Sequence, residues 1–88
     1  MKANNELEKL TRRGEQDALD KTVLNILTKG KFCWTDLEKK VLATCFPWAT
    51  GGRFHARLNY LRSRDYVRRV ARGVYEITDK GRKYLEIL

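Results

Sequence analysis

Between Thr50 and Thr78 the apolar residues change their spacing once, at Asp65, and that change constrains the fold more than any other stretch of the chain. Before it, Phe54, Leu58 and Leu61 stand at i, i+4 and i+7 and share one face of a helix. The opposite face carries Arg53, Ala56, Asn59 and Ser63, which is polar and slim. After it the period falls to two. A three-residue turn at Ala71-Arg72-Gly73 would set Val70 opposite Val74, Arg69 opposite Tyr75, Arg68 opposite Glu76 and Val67 opposite Ile77. Val67, Tyr75 and Ile77 would then point inward. The stretch therefore reads as a helix feeding directly into a β-hairpin.

The charge on this unit asks for an explanation of its own. From Arg53 to Arg72 there are seven arginines against one acid, Asp65. The chain carries a net +8, divided unevenly about Ala49: nine Lys/Arg and seven Asp/Glu before it (+2), ten and four after it (+6). Eight of the later ten cations are arginine, whose planar fork suits phosphates and guanine edges, whereas seven of the earlier nine are lysine. A merely basic, soluble surface is the plain alternative. Clustering on one supersecondary unit favours an anionic partner, nucleic acid first.

The remaining chain supplies a frame for that unit. Eighty-eight residues make one small domain, and 42% hydrophobic content with two Trp, four Tyr and three Phe suffices for a core. No apolar run approaches the ~20 residues of a membrane span, and Met1-Lys2-Ala3-Asn4-Asn5-Glu6 lacks a secretory h-region, so a cytoplasmic location is expected. Residues 1–14 read as an arm or short helix, capped by Asn5, bearing Leu7 and Leu10 and broken at Arg12-Arg13-Gly14. Residues 15–88 read as the domain. Leu19, Val23, Ile26 and Leu27 mark a core helix over Asp17 to Lys29, stopped by Gly30. Lys31 to Trp34 reads as a short strand or extended link, able to pair with the hairpin. Thr35 and Glu38 form a capping box for a helix running to about Cys45, with Leu37, Val41 and Leu42 inward and Phe46-Pro47-Trp48 as its end. Thr50 can cap the next helix, and Gly51-Gly52 leave its first N–H groups open to a phosphate or simply make a flexible joint. Thr78 closes the hairpin and caps a last helix whose Tyr84, Leu85 and Leu88 can pack on the first. Leu7, Leu10 and Ile87 are left over and suggest a two-fold dimer.

Catalysis finds little support. Glu38-Lys39-Lys40 has a nuclease-like E-x-K spacing but falls on an amphipathic helix with no strand-borne Asp partner. His55 has no carboxylate orienter in its own motif, and Gly51-Gly52 lacks the lysine and hydroxyl of a Walker loop. Cys33 and Cys45 stand twelve apart with one histidine in the chain, so neither a metal nor a cofactor is expected; both thiols read as interior and free, with a disulfide between them as the lesser alternative.

The order helix, strand, helix, turn, helix, hairpin, together with Leu58 to Arg69 and the run Arg72-Gly73-Val74-Tyr75-Glu76-Ile77-Thr78-Asp79-Lys80-Gly81-Arg82, resembles the winged helix-turn-helix superfamily. It is most similar to the amino-terminal domain of Mrr-type restriction endonucleases, and more loosely to small winged-helix transcription regulators. The resemblance covers about residues 17 to 88. It departs at Asp65, where the family often has glycine, and at the long Phe46-Pro47-Trp48-Ala49 link; the family's nuclease domain has no counterpart here. It implies a mainly α fold with a small β-hairpin (α+β) and binding of double-stranded DNA without cleavage, as a small transcription regulator or a detached DNA-reader domain of a restriction-type system. On that pattern Arg53, His55, Arg57, Asn59 and Arg62 enter the major groove, and Arg69 and Arg72 reach backbone or minor groove; Thr50, Gly51 and Gly52 join them as candidate DNA contacts through the open helix start. Within that set Arg53 would read guanine and Asn59 adenine. The rival uses are a protein-contact module and, from Tyr60, Tyr66 and Tyr75 beside arginines, a single-strand or RNA binder.

Overall fold

A computed structural model describes residues 2–43 and 50–88, with side chains from Arg13 onward. Four helices, α1 (Lys2–Leu27), α2 (Trp34–Ala43), α3 (Gly51–Ser63) and α4 (Asp79–Ile87), surround a small antiparallel sheet of β1 (Phe32–Cys33), β2 (Val67–Ala71) and β3 (Val74–Ile77). The architecture is mainly helical α+β. The sheet order is β1-β3-β2, which leaves one side of β2 as an unpaired edge.

Helix α1 differs most from expectation, because it passes through Arg12-Arg13-Gly14 without a break and contains Asn5 rather than starting there. Gly14 weakens a helix interior but does not end one, and no proline intervenes. At 26 residues α1 is about 39 Å long, which accounts for most of the molecule's 47 Å long dimension. Its C-terminal half supplies Leu19, Val23, Leu24 and Leu27 to the core, and Gly30 turns the chain at φ +142.

The core is completed by Leu37 and Val41 of α2, Phe54, Leu58 and Leu61 of α3, Val67 of β2 and Ile77 of β3. Tyr84 and Leu85 of α4 and Leu88 just after it close it from one side as anticipated, while Ile87 is exposed. Helix α2 begins at Trp34, so Thr35 lies inside its first turn and the Glu38 carboxylate is directed at His55: the expected capping box gives way to an interhelical contact. The expected end of α2 at Phe46-Pro47-Trp48, the link to Ala49 and Cys45 lie outside the described residues, as do the side chains of Leu7 and Leu10.

Strand β1 pairs with β3 through Phe32 with Tyr75 and Cys33 with Val74. Alternation sends Phe32 toward the core and Cys33 outward, so Cys33 is exposed and the expectation of an interior thiol is overturned there. The hairpin holds Val67 opposite Ile77, Arg68 opposite Glu76 and Arg69 opposite Tyr75 as expected, but Ala71 rather than Val70 faces Val74. A bulge between Arg69 and Ala71 takes Val70 out of the ladder, leaving it exposed and shortening the turn to Arg72-Gly73. Gly73 takes φ +73, a conformation that favours glycine.

The joint between α3 and β2 is closed by hydrogen bonds that explain its sequence. The Tyr66 N–H donates to Leu61 O at 2.9 Å and the Asp65 N–H to Arg62 O at 3.0 Å, with Asp65 left-handed at φ 64. This is a Schellman ending with aspartate at the position that most often holds glycine. Thr78 then ties the joint to α4: its N–H donates to Tyr66 O, its hydroxyl donates to Asp65 O, and its oxygen accepts from the Gly81 N–H at 3.0 Å. Gly81 packs against Tyr66 O so closely that no side chain fits.

Candidate nucleic-acid interface

Every candidate contact is carried by α3 or the hairpin, and the structure divides these residues into two groups by what faces them. Thr50 caps α3 as expected, its hydroxyl accepting from the Arg53 N–H at 3.2 Å. Beyond that cap, the N-terminal half of α3 is met by carboxylates. Arg53 Nη1 lies 2.6 Å from Glu15 Oε2. His55 Nε2 lies 3.1 Å from Glu38 Oε2 and its ring tilts against the Trp34 indole at 5.0 Å. The same Glu38 oxygen comes within 3.6 Å of where a Gly51 side chain would begin, so a negative group already stands beside the helix start that Gly51 and Gly52 leave open.

Arg57 is the most strongly engaged of the set. Its Nε and Nη2 donate to the two carboxylate oxygens of Asp20 at 2.8 and 2.7 Å, and its ring-facing side lies over Tyr60 at 4.3 Å. The Asp20 side chain is fully buried and that of Arg57 is 17% exposed, its guanidinium turned to Asp20. Burial raises the Asp20 carboxyl above its ordinary value; the Arg57 hydrogen bonds and charge oppose the rise without cancelling it, and Asp17 adds to it. The Arg57 guanidinium is held above its own ordinary value, chiefly by the hydrogen bond to Asp20 and against burial. The partners thus shift in ways that disagree about the ion pair. The upward direction at Asp20 follows from its complete enclosure, whereas Arg57 keeps some contact with water and stays charged throughout.

The C-terminal half of α3 and the hairpin form the other group. Asn59, Arg62 and Ser63 of α3, Asp65 at the joint, and Val67, Arg68 and Arg69 of β2 line an open cleft of about 530 Å³. Arg68 is paired with Glu76 across the ladder. Arg62 lies over the Tyr75 ring at 5.3 Å, a stacking that orients its fork without neutralising it. Among the described residues Arg62, Arg69 and Arg72 enter no ion pair, and all three are exposed, as is Asn59. Ala56, also exposed, lies between the two groups with a side chain too short to obstruct an approach.

No family model, curated protein or solved structure matches the chain. The reading of the interface therefore stands on this geometry. Sequence reasoning found α3 and the hairpin but missed the acids that face them. One signal was present: Asp20 falls in the middle of the helical stripe of Leu19, Val23, Leu24 and Leu27, where a carboxylate is tolerated only beside a buried cation. Nothing comparable marks Glu15 or Glu38, which are unremarkable surface acids until the tertiary fold brings α1 and α2 against α3. The tyrosines offered as stacking surfaces, Tyr60, Tyr66 and Tyr75, are half-buried and pack on the core, Tyr66 lying parallel to Tyr84 at 4.1 Å.

Proposed function

We propose that the chain binds double-stranded DNA as a winged helix-turn-helix module, in the manner of a small transcription regulator. The observation that carries the reading is the segregation of charge on α3: its N-terminal cations are matched by acids of α1 and α2, while Arg62, Arg69 and Arg72 converge unneutralised around one cleft and one turn. A duplex set against this surface would place Asn59, on the outer side of α3, toward an adenine edge, with Arg62 at its flank. Arg69 and Arg72, on the hairpin, would hold phosphates or a narrow minor groove. The element order, with the hairpin following α3 and the strand order β1-β3-β2, supports the winged-helix assignment.

A titration of random and selected duplexes across a salt series tests this directly. Arg69→Ala and Arg72→Ala should weaken both duplexes alike and each reduce the salt slope by about one, whereas Asn59→Ala should cost about 1–3 kcal/mol on the selected site and less on random DNA. Wild-type protein that ignores duplex DNA at low salt yet binds an acidic polypeptide would transfer the surface to protein contact.

A further inference from the structure

We infer that Glu15 is a built-in competitor for DNA phosphate: it holds Arg53 away from the duplex and so confines the contact to the C-terminal half of α3 and the hairpin. The inference rests on the duplex-binding reading and deepens it.

The Arg57–Asp20 and Arg53–Glu15 ion pairs both join α1 to α3, and they differ in the property that matters for competition. The Arg57–Asp20 pair is interior, with the carboxylate wholly enclosed, so an external anion cannot reach it. The Arg53–Glu15 pair lies at the surface, its side chains 49% and 21% exposed, with Nη1 and Oε2 2.6 Å apart. A pair of that exposure is weak and exchanges readily with another anion of similar geometry. A phosphate approaching Arg53 must therefore replace a carboxylate that would then stand, negatively charged, beside the DNA backbone. The gain from the new contact and the loss of the old one nearly cancel, and the cation contributes little to affinity while Glu15 keeps its charge. Glu38 places a second carboxylate on the other side of the start of α3, on His55 and beside Gly51. The result is a graded surface: acids guard the start of α3, and cations are left bare at its end. Such an arrangement weakens binding overall and fixes where along the helix the duplex lies.

The expected magnitude follows from counterion release. One additional phosphate contact steepens the dependence of log K on log salt by about 0.9, which near 0.1 M salt amounts to roughly five- to tenfold in affinity. Binding of a random duplex by the whole chain should be measured across a salt series for wild type, Glu15→Gln, Arg53→Ala, the double variant Glu15→Gln/Arg53→Ala, and, as a control for net charge alone, Asp36→Asn at an exposed acid in the first turn of α2. Thermal melting of each variant confirms that it is folded. Glu15→Gln should tighten binding by about five- to tenfold and steepen the slope by about 0.9, Arg53→Ala and Asp36→Asn should each change affinity by less than about twofold, and the gain should vanish in the double variant. Wild-type binding that Glu15→Gln leaves unchanged or weaker, or a gain that survives Arg53→Ala, overturns the role given to Glu15 while leaving duplex binding in place. Failure of both wild type and Glu15→Gln to bind any duplex removes the functional reading and this inference together.

Discussion

Two residues at the junctions of the hairpin show how single side chains decide the local fold. A methyl group on Gly81 would stand 2.1 Å from Tyr66 O and 2.8 Å from Ile77 Cγ1. That carbonyl cannot withdraw, because it already accepts the Thr78 N–H at 3.1 Å. Helix propensity alone would reward Gly81→Ala by about 1 kcal/mol, so the two effects oppose and the larger sets the sign. The clash wins, and Gly81→Ala should destabilise by about 2–4 kcal/mol. Asp65 presents the opposite case. It holds φ 64 as the left-handed residue after α3, where a Cβ is a liability, and Asp65→Gly should stabilise by about 0.5–1 kcal/mol despite the freedom glycine adds to the unfolded chain. Urea midpoints of the two variants check both. Opposite signs from two substitutions sixteen positions apart would fix the α3–β2 joint as described, and a neutral Gly81→Ala would mean that α4 does not sit against it.

At the scale of elements, what the sequence disclosed was whatever depends on local periodicity. Helix α3, its Thr50 cap, three of the four expected hairpin pairs and the Thr78 cap of α4 all follow from spacing and capping chemistry within a few residues. The features that were not legible depend on distant partners. Val70 and Ala71 are both acceptable strand residues, so nothing in the run announces the bulge that displaces Val70. Thr35 and Glu38 have the pattern of a capping box, yet the helix already begins at Trp34, ahead of Thr35, and Glu38 is drawn to His55. Cys33 lies among aromatics in the chain but on the outward side of a two-residue strand. The continuity of α1 is the largest such case and can be tested. A Cβ at Gly14 would meet nothing within 4 Å, and Gly14 is exposed and within the helix, so Gly14→Ala should raise stability by about 0.5–1 kcal/mol. In a domain of this size that corresponds to a melting temperature a few degrees higher, about 4–8 °C per kcal/mol. An unchanged melting temperature, with helical circular dichroism also unchanged, would restore the break expected at Arg12-Arg13-Gly14.

For the molecule as a whole, the charge pattern along α3 is set by the same contact that holds α1 against α3. Asp20 and Arg57 are the innermost members of the acid–base series running along that boundary, and their energetics depend on pH in a direction that can be worked out. Asp20 sits above its ordinary 3.8 in the folded protein, so the folded state takes up its proton more readily than the unfolded chain. Any stability linked to this group is therefore greatest below the unfolded value and is lost as pH rises through the raised one. Arg57 restrains the effect through the two causes that lower the Asp20 value, its hydrogen bonds and its charge. Replacing it by methionine leaves only burial and Asp17, both of which raise Asp20 further. Arg57→Met should accordingly lose about 3–5 kcal/mol at neutral pH, where an enclosed carboxylate lacks its counter-ion. The deficit relative to wild type should shrink as pH falls and Asp20 takes up its proton. Replacing both partners, as Asp20→Leu/Arg57→Met, removes the buried charge altogether and should recover most of the loss or exceed wild-type stability. Urea unfolding of the three proteins followed from neutral into acid pH separates the possibilities. A deficit that stays the same down to the ordinary carboxylate range would mean that Asp20 is not raised, and a double variant no better than Arg57→Met would mean that the cost lies in lost packing around Tyr60 rather than in the stranded carboxylate.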